Sequence, residues 1–244
     1  MNDPRPVPAA LAAMLGAGFG YLLGSVSFSR IVGERAAPGA DLGVTRIEVP
    51  ELDTAVEFRG FTPTSVKEHA GTRAMAASMA LEAAKAALPT LVARAVLPGT
   101  PAAPAAAFGA LVGHILPAWS GFRGGYGMTP MIGGLAVLDP LGLAVTTGAV
   151  SGVMQTTHRA QLMLLWPVTI PVWGALRGRP DLVAYGVAAN MAYWARLAPE
   201  LRRGMHGLLT TRAPDPSRRH DVPAPQAEGA CSGREEGHGD EDGG

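Results

Sequence analysis

The chain has 244 residues with 20 basic and 20 acidic side chains, so its formal net charge is zero, and its mean hydropathy is only +0.18. A neutral chain gives no overall electrostatic basis for binding nucleic acid. Its one cysteine, Cys231, cannot form an internal disulfide and matches no metal-ligand spacing.

The modest hydropathy conceals strong segregation. Apart from His114, no charged residue falls within 95–122, and none falls within 124–138, 140–157, 160–176 or 182–195. Helices of soluble domains carry a charged face, whereas a helix crossing a bilayer needs roughly 20 mostly apolar residues. The pattern therefore predicts an all-α, polytopic membrane protein. Seven transmembrane helices are expected near 9–32, 74–97, 102–120, 125–138, 140–157, 161–176 and 181–197. The tight Asp139-Pro140 turn leaves open six spans with one bent element.

In chain order, the first apolar run starts without basic residues and passes through Tyr21-Leu22-Leu23 into GSVSFS without a small-residue cleavage site. It reads as a retained span and not as a signal peptide. A polar segment over 33–73 follows and is expected to be a cytoplasmic loop. The second span carries Glu82 and Lys85 three residues apart, on one helix face, where they either neutralise each other or face a functional interior. The third span ends in Gly113–Gly127, GHILPAWSGFRGGYG. Glycine lets the backbone approach a ligand closely, successive N–H groups can cradle an anion, and Arg123 adds a planar cationic fork. His114 is open between a packing hydrogen bond and a general base. Residues 213–244 are rich in Pro, Gly and charge, a composition typical of disorder. The chain divides accordingly into a membrane domain, 1–212, and a polar tail, 213–244, containing Cys231 and His238.

Basic residues give an orientation. With seven spans and the N-terminus outside, fifteen Lys/Arg lie on the inner side and four, Arg5, Arg94, Arg177 and Arg179, on the outer. The motif loops are then cytoplasmic.

Several of these residues carry a family resemblance over roughly 9–210. Gly24-Ser25-Val26-Ser27-Phe28 is similar to a GS-I/V-x-F-G pattern, with Ser29 where glycine is usual. Leu81, Glu82, Lys85 and Ala86 resemble LDxxKG. Gly113, His114, Pro117, Phe122, Gly124, Gly125 and Gly127 match GHxxPxxxxFKGGKG, with Arg123 and Tyr126 at the two lysine positions, and an LDP turn follows at 138–140. The chain thus resembles the PlsY-type acyl-phosphate:glycerol-3-phosphate acyltransferases of the bacterial inner membrane. Other patterns are eroded: Thr64-Ser65-Val66 falls where ATNV is expected, the glycine cradle before it is missing, and Gly43 replaces the arginine of DLR. Of RHREN, only Arg196 remains.

The resemblance implies acyl transfer from an acyl phosphate to glycerol 3-phosphate, giving lysophosphatidic acid without a cofactor or metal. It implies Ser25 and His114 as catalytic residues, and Lys85, Arg123, Gly124, Gly125, Gly127, Ser65 and Arg196 as substrate-binding. The partners implied are the lipid bilayer and the two phosphate substrates. An inactive relative that binds lipid or a membrane-protein partner is the alternative reading.

Overall fold

The computed structural model describes residues 7–49, 54–157 and 160–210. The expected disordered tail with Cys231 and His238 lies outside the described residues, as do residues 158–159. The folded unit runs over Met1–Leu208 and is mainly helical. Its helices are α1 (Ala9–Gly24), α2 (Phe28–Ala36), α3 (Pro63–Val96), α4 (Ala102–Ile115), α5 (Met128–Leu138), α6 (Pro140–Thr157), α7 (Trp166–Leu176) and α8 (Pro180–Thr210).

Each of the seven apolar segments contains a helix, but their bounds differ from expectation. The first breaks at Ser25–Ser27, between α1 and α2. The third ends its α-helix at Ile115 and adds a 3-10 turn at Ala118–Ser120. By length and apolarity, two of the described segments suffice to cross a membrane: Ala9–Ala36 and Ala102–Ser120. Helices α5 and α7 have 11 residues each, about 16 Å at 1.5 Å per residue.

The expected loop over 33–73 is more structured than composition suggested. Strands β1 (Val44–Val49) and β2 (Thr54–Arg59) form an antiparallel hairpin, with Val44 opposite Arg59 and Val49 opposite Thr54. Helix α3 then starts at Pro63, eleven residues before the expected span. Thr62 caps it: its Oγ1 accepts from Ser65 N at 3.1 Å, and Ser65 Oγ accepts from Thr62 N at 3.3 Å, a reciprocal arrangement that satisfies otherwise orphaned donors. Proline at the first turn suits this start. Gly71, at φ +80, kinks the helix, a conformation glycine alone adopts without strain.

Helices α1 and α4 meet backbone to backbone. A Cβ at Gly16, Gly20 or Gly24 would sit 2.3, 2.1 and 2.3 Å from the carbonyl oxygens of Ala102, Ala106 and Ala110. From the other side, a Cβ at Gly109 or Gly113 would sit 2.1 and 2.3 Å from the Ala17 and Tyr21 oxygens. Small residues repeating every four positions permit this approach. Gly133 of α5 presses on α3 in the same way, with its would-be Cβ 2.0 Å from the Ala83 oxygen.

The packing is inverted relative to a water-soluble bundle. Leu15, Phe19 and Leu22 of α1, Leu88 and Leu91 of α3, and Val172 and Leu176 of α7 are exposed. Ser25, Ser29, Ser78, Glu82, Lys85 and His114 are buried.

Candidate active site

Three residues whose ionisable character stands out in the sequence come together. Glu82 and Lys85 lie on the inner face of α3, and His114 lies one residue before the end of α4. Lys85 Nζ is 2.6 Å from Glu82 Oε2, and His114 Nδ1 is 3.0 Å from the same oxygen. Nζ also donates to the Val26 carbonyl at 2.6 Å, and it lies 3.1 Å from His114 Nδ1.

The second carboxylate oxygen is held from α2. Ser29 N and Ser29 Oγ donate to Glu82 Oε1 at 2.9 and 3.1 Å. Since Ser29 has one hydroxyl proton, the 2.9 Å contact with Ser78 has Ser78 as donor. A fully buried carboxylate is tolerated because donors surround it. Ser29 and Ser78 were not among the expected site residues. The substitution of serine for glycine at position 29 was the available signal, but its partner lies 53 residues away.

The two neighbours of His114 Nδ1 favour opposite tautomers. With the proton on Nδ1, the ring donates to Glu82 and Nε2 is a bare acceptor. With Nδ1 bare, Lys85 donates to it and Nε2 carries the proton. Nε2 itself faces the glycine loop, where a Cβ at Gly125 would sit 2.4 Å from it.

Of the loop glycines, Gly124 presses on the His114 carbonyl, 1.9 Å from a would-be Cβ. Gly125 N donates to that same carbonyl at 3.2 Å, so this amide is already engaged within the protein. Gly127, at φ +95, precedes α5 and has Leu111 Cδ1 2.2 Å from a would-be Cβ.

The other expected residues are distributed differently. Ser25 is buried, and its hydroxyl donates back to the Tyr21 carbonyl at 2.8 Å; its backbone N abuts Gly113. Ser65 is buried and engaged in the α3 cap. Arg123 is exposed; its backbone N donates to the Ser120 carbonyl at 3.4 Å, and its guanidinium forms no hydrogen bond or ion pair among the described residues. Arg196 reaches the glycine loop from α8: its Nη1 donates to Glu200 at 2.9 Å, its Nη2 donates to the Arg59 carbonyl, and it stacks over Tyr126. A Cβ at Gly60 would meet both the Gly124 oxygen and Arg196 Nη2. Burial pushes the Tyr126 phenol up to about 12, with Arg196 opposing the shift.

A cavity of about 280 Å³ opens beside this cluster. Thr62, Thr64, His114, Thr129 and Tyr193 line it together with Met75, Met79, Met128, Leu164 and Leu197. Tyr126 and Gly127 complete the side nearest the loop. No lysine or arginine is part of the described wall. Among the described residues, no three His, Cys, Asp or Glu side chains gather as a metal site would need.

Comparison with known proteins gives a consistent result. A family described as glycerol-3-phosphate acyltransferase matches residues 60–207. A glycerol-3-phosphate acyltransferase of Cereibacter sphaeroides is 34% identical over 200 residues, covering 81% of this chain and 88% of that protein. One from Anaeromyxobacter sp. strain K is 39% identical over 137 residues, but that match spans 54% of this chain and 62% of the relative, less than two thirds of its length. Among solved structures, PlsY (YgiH), an integral membrane glycerol 3-phosphate acyltransferase in its glycerol 3-phosphate form, superposes with a TM-score of 0.67. It covers 80% of this chain and 93% of its own, at 18% identity. The fold is therefore shared even where the sequence has diverged. By both the extent of the family match and its identity to the Cereibacter protein, the chain belongs to the glycerol-3-phosphate acyltransferase family.

Proposed function

We propose that the protein transfers an acyl group from an acyl phosphate to glycerol 3-phosphate within a bilayer, releasing lysophosphatidic acid and inorganic phosphate. The observation that carries this reading is His114: one ring nitrogen is held by Glu82 and Lys85, and the residue forms part of the cavity wall beside the glycine loop. Family membership supports the same chemistry, and the outward-facing leucines and valines support a lipid surround. In the topology we propose, seven segments cross the membrane, the N-terminus is outside, and the glycine loop is cytoplasmic.

In this mechanism, the acceptor hydroxyl oxygen attacks the acyl carbon, a carbon–oxygen bond forms, and the bond to the leaving phosphate breaks. His114 Nε2 takes the hydroxyl proton, which requires Nδ1 to carry its own proton toward Glu82. Because the donor is already activated, catalysis is mainly positioning and electrostatic stabilisation. Lys85 neutralises phosphate charge after exchanging its bond to the Val26 carbonyl for one to substrate. Arg123, within the loop and with its fork unengaged, and Arg196, reaching the loop from α8, bind phosphate oxygens. The backbone of Gly124, Gly125 and Gly127 shapes the acyl-phosphate side. Ser25 and Ser65 contribute by fixing the ends of α1 and α3 next to the site, with a change of hydroxyl partner needed for either to touch substrate.

The test is an acylation assay with labelled glycerol 3-phosphate and palmitoyl phosphate, using the purified protein in lipid. Lysophosphatidic acid from the wild type, reduced on the order of 100-fold in Lys85→Ala, is expected. Absence of product under conditions where another family member turns over would sink the reading.

A further inference from the structure

Helix α2 starts without a cap of its own. The residue before it, Ser27, makes no side-chain capping bond, and the first backbone N–H groups of a helix lack intrahelical partners. A carboxylate from another helix fills the gap. Ser29, at the second position of α2, donates both its N–H and its hydroxyl to Glu82 Oε1, at 2.9 and 3.1 Å. An anion at a helix N-terminus also suits the helix dipole. Both ends of the contact depart from the family patterns, with serine for glycine at 29 and glutamate for aspartate at 82. The hydroxyl supplies the second donor, and the extra methylene lengthens the carboxylate's reach by about 1.5 Å.

The two carboxylate oxygens therefore have separate tasks. Oε1 is occupied from α2, while Oε2 faces Lys85 Nζ at 2.6 Å and His114 Nδ1 at 3.0 Å. A carboxylate is planar, so two donors fixed on one oxygen also fix the direction of the other. Ser29 is 1% exposed, and Ser78 and Glu82 are fully buried, so solvent has little access to Oε1. Ser78, donating to Ser29 Oγ at 2.9 Å, turns that hydroxyl's single proton toward Glu82.

We propose that Ser29 is a positioning residue. By holding Oε1 it aims Oε2 at His114, which selects the ring tautomer with the proton on Nδ1 and leaves Nε2 bare toward the glycine loop. The consequence for turnover rests on the acyl-transfer reading given above; the choice of tautomer rests on geometry alone. With the Ser29 hydroxyl removed, the carboxylate is free to turn. Lys85 then donates to a bare Nδ1 across the 3.1 Å between them, and the ring proton moves to Nε2, where it blocks the base. A general base acts only in its proton-accepting form, so the loss falls on kcat and not on the binding of glycerol 3-phosphate.

The experiment uses the full chain in lipid nanodiscs, isotopically labelled at the imidazole nitrogens, as wild type, Ser29→Ala and Thr90→Val. Nitrogen NMR shifts distinguish the two neutral tautomers, and the His114 signal is assigned by its loss in His114→Gln. Thr90→Val is the control: it removes a buried hydroxyl that donates within α3 to the Ala86 carbonyl at 2.7 Å. Turnover of palmitoyl phosphate with glycerol 3-phosphate and thermal unfolding are measured in parallel. Wild type and Thr90→Val are expected to carry the proton on Nδ1 and to share one kcat. Ser29→Ala is expected to carry it on Nε2, with kcat lower on the order of tenfold and KM for glycerol 3-phosphate unchanged. Ser29→Cys, with a weak donor in the same place, should shift part of the way, and it replaces Ser29→Ala if that variant does not fold. A wild-type proton on Nε2, or Nδ1 still protonated in Ser29→Ala even where kcat falls, would overturn the proposal. If the tautomer shifts but the wild type makes no lysophosphatidic acid, the positioning by Ser29 stands and the acyl-transfer reading falls.

Discussion

The guanidinium of Arg196 lies over the ring of Tyr126, its central carbon 4.7 Å from the ring centroid. Tyr126 OH donates to the Arg59 carbonyl at 3.3 Å, and Arg196 Nη2 donates to the same oxygen. The residue thus joins the glycine loop, the end of the hairpin and α8. Where the family pattern has a lysine in the loop, this chain has an aromatic ring that receives a cation from a distant helix. Glu200, only 3% exposed, braces that cation and also pairs with Arg203 at 3.0 Å.

Restoring lysine at position 126 is therefore expected to do harm. Tyr126→Lys puts two cations together and lowers Tm, whereas Tyr126→Phe keeps the stacking face and changes Tm little. A double-mutant cycle with Arg196→Ala should return a coupling of about 1 kcal/mol. Additive effects across the cycle would mean the stacking contributes nothing.

The phenol of Tyr126 provides a pH-dependent readout. Its folded-state value is about 12, raised by burial against Arg196's influence, compared with about 10 for an unperturbed tyrosine. A raised value means the folded state holds its proton more tightly than the unfolded state. This contribution to stability is fully present below pH ~10 and is lost as pH rises through the folded value. Difference absorbance between wild type and Tyr126→Phe should show this tyrosinate forming well above the ordinary range; ionisation near the unperturbed value would contradict the burial seen here.

The buried cluster predicts strong non-additivity. Lys85→Met leaves Glu82 with an uncompensated buried charge and should cost about 3–5 kcal/mol. Combining it with Glu82→Leu removes that charge, so the double variant should unfold at a higher temperature than Lys85→Met alone, although neither should be active. Stability that falls further in the double variant would show that the Ser29 and His114 bonds to Glu82 outweigh the ion pair.

The helix seam can be tested with two glycines on one helix. Gly20→Ala places a Cβ 2.1 Å from the Ala106 oxygen, a backbone atom that cannot rotate away, while a Cβ at Gly18 meets nothing within 4 Å. The first is expected to destabilise by about 1–3 kcal/mol and the second by less than about 0.5 kcal/mol, measured by thermal unfolding in detergent.

What the sequence made visible follows from where the information lies. His114 and Lys85 stood out because each is ionisable within an apolar run, and expense in an apolar setting is a local property. The membrane-like segments were legible for the same reason, although charge spacing did not reveal the break at Ser25–Ser27 or the short α5 and α7. The hairpin was hidden because its charged residues made 44–59 read as a polar loop, despite the alternation in Val44-Thr45-Arg46-Ile47-Glu48-Val49. The resemblance implied a catalytic Ser25 and a substrate-binding Ser65, but both hydroxyls bond a backbone carbonyl within four residues, a matter of local backbone geometry. The contacts of Glu82 with Ser29 and of Arg196 with Tyr126 depend on residues brought together by packing, and no short motif encodes them.

The Gly16–Gly20–Gly24 seam has a mechanical consequence. It ends two residues before Val26, whose carbonyl tethers Lys85, so the anchor of the ammonium is set by the registry of two helix backbones in direct contact. With no side chain between them to absorb slack, shifting that anchor would require shearing α1 along its whole length against α4. The stiff part of the device is glycine and the compliant part is the lysine's own methylene chain. An arriving phosphate is therefore expected to recruit Lys85 by bond exchange at Nζ while the helices stay put.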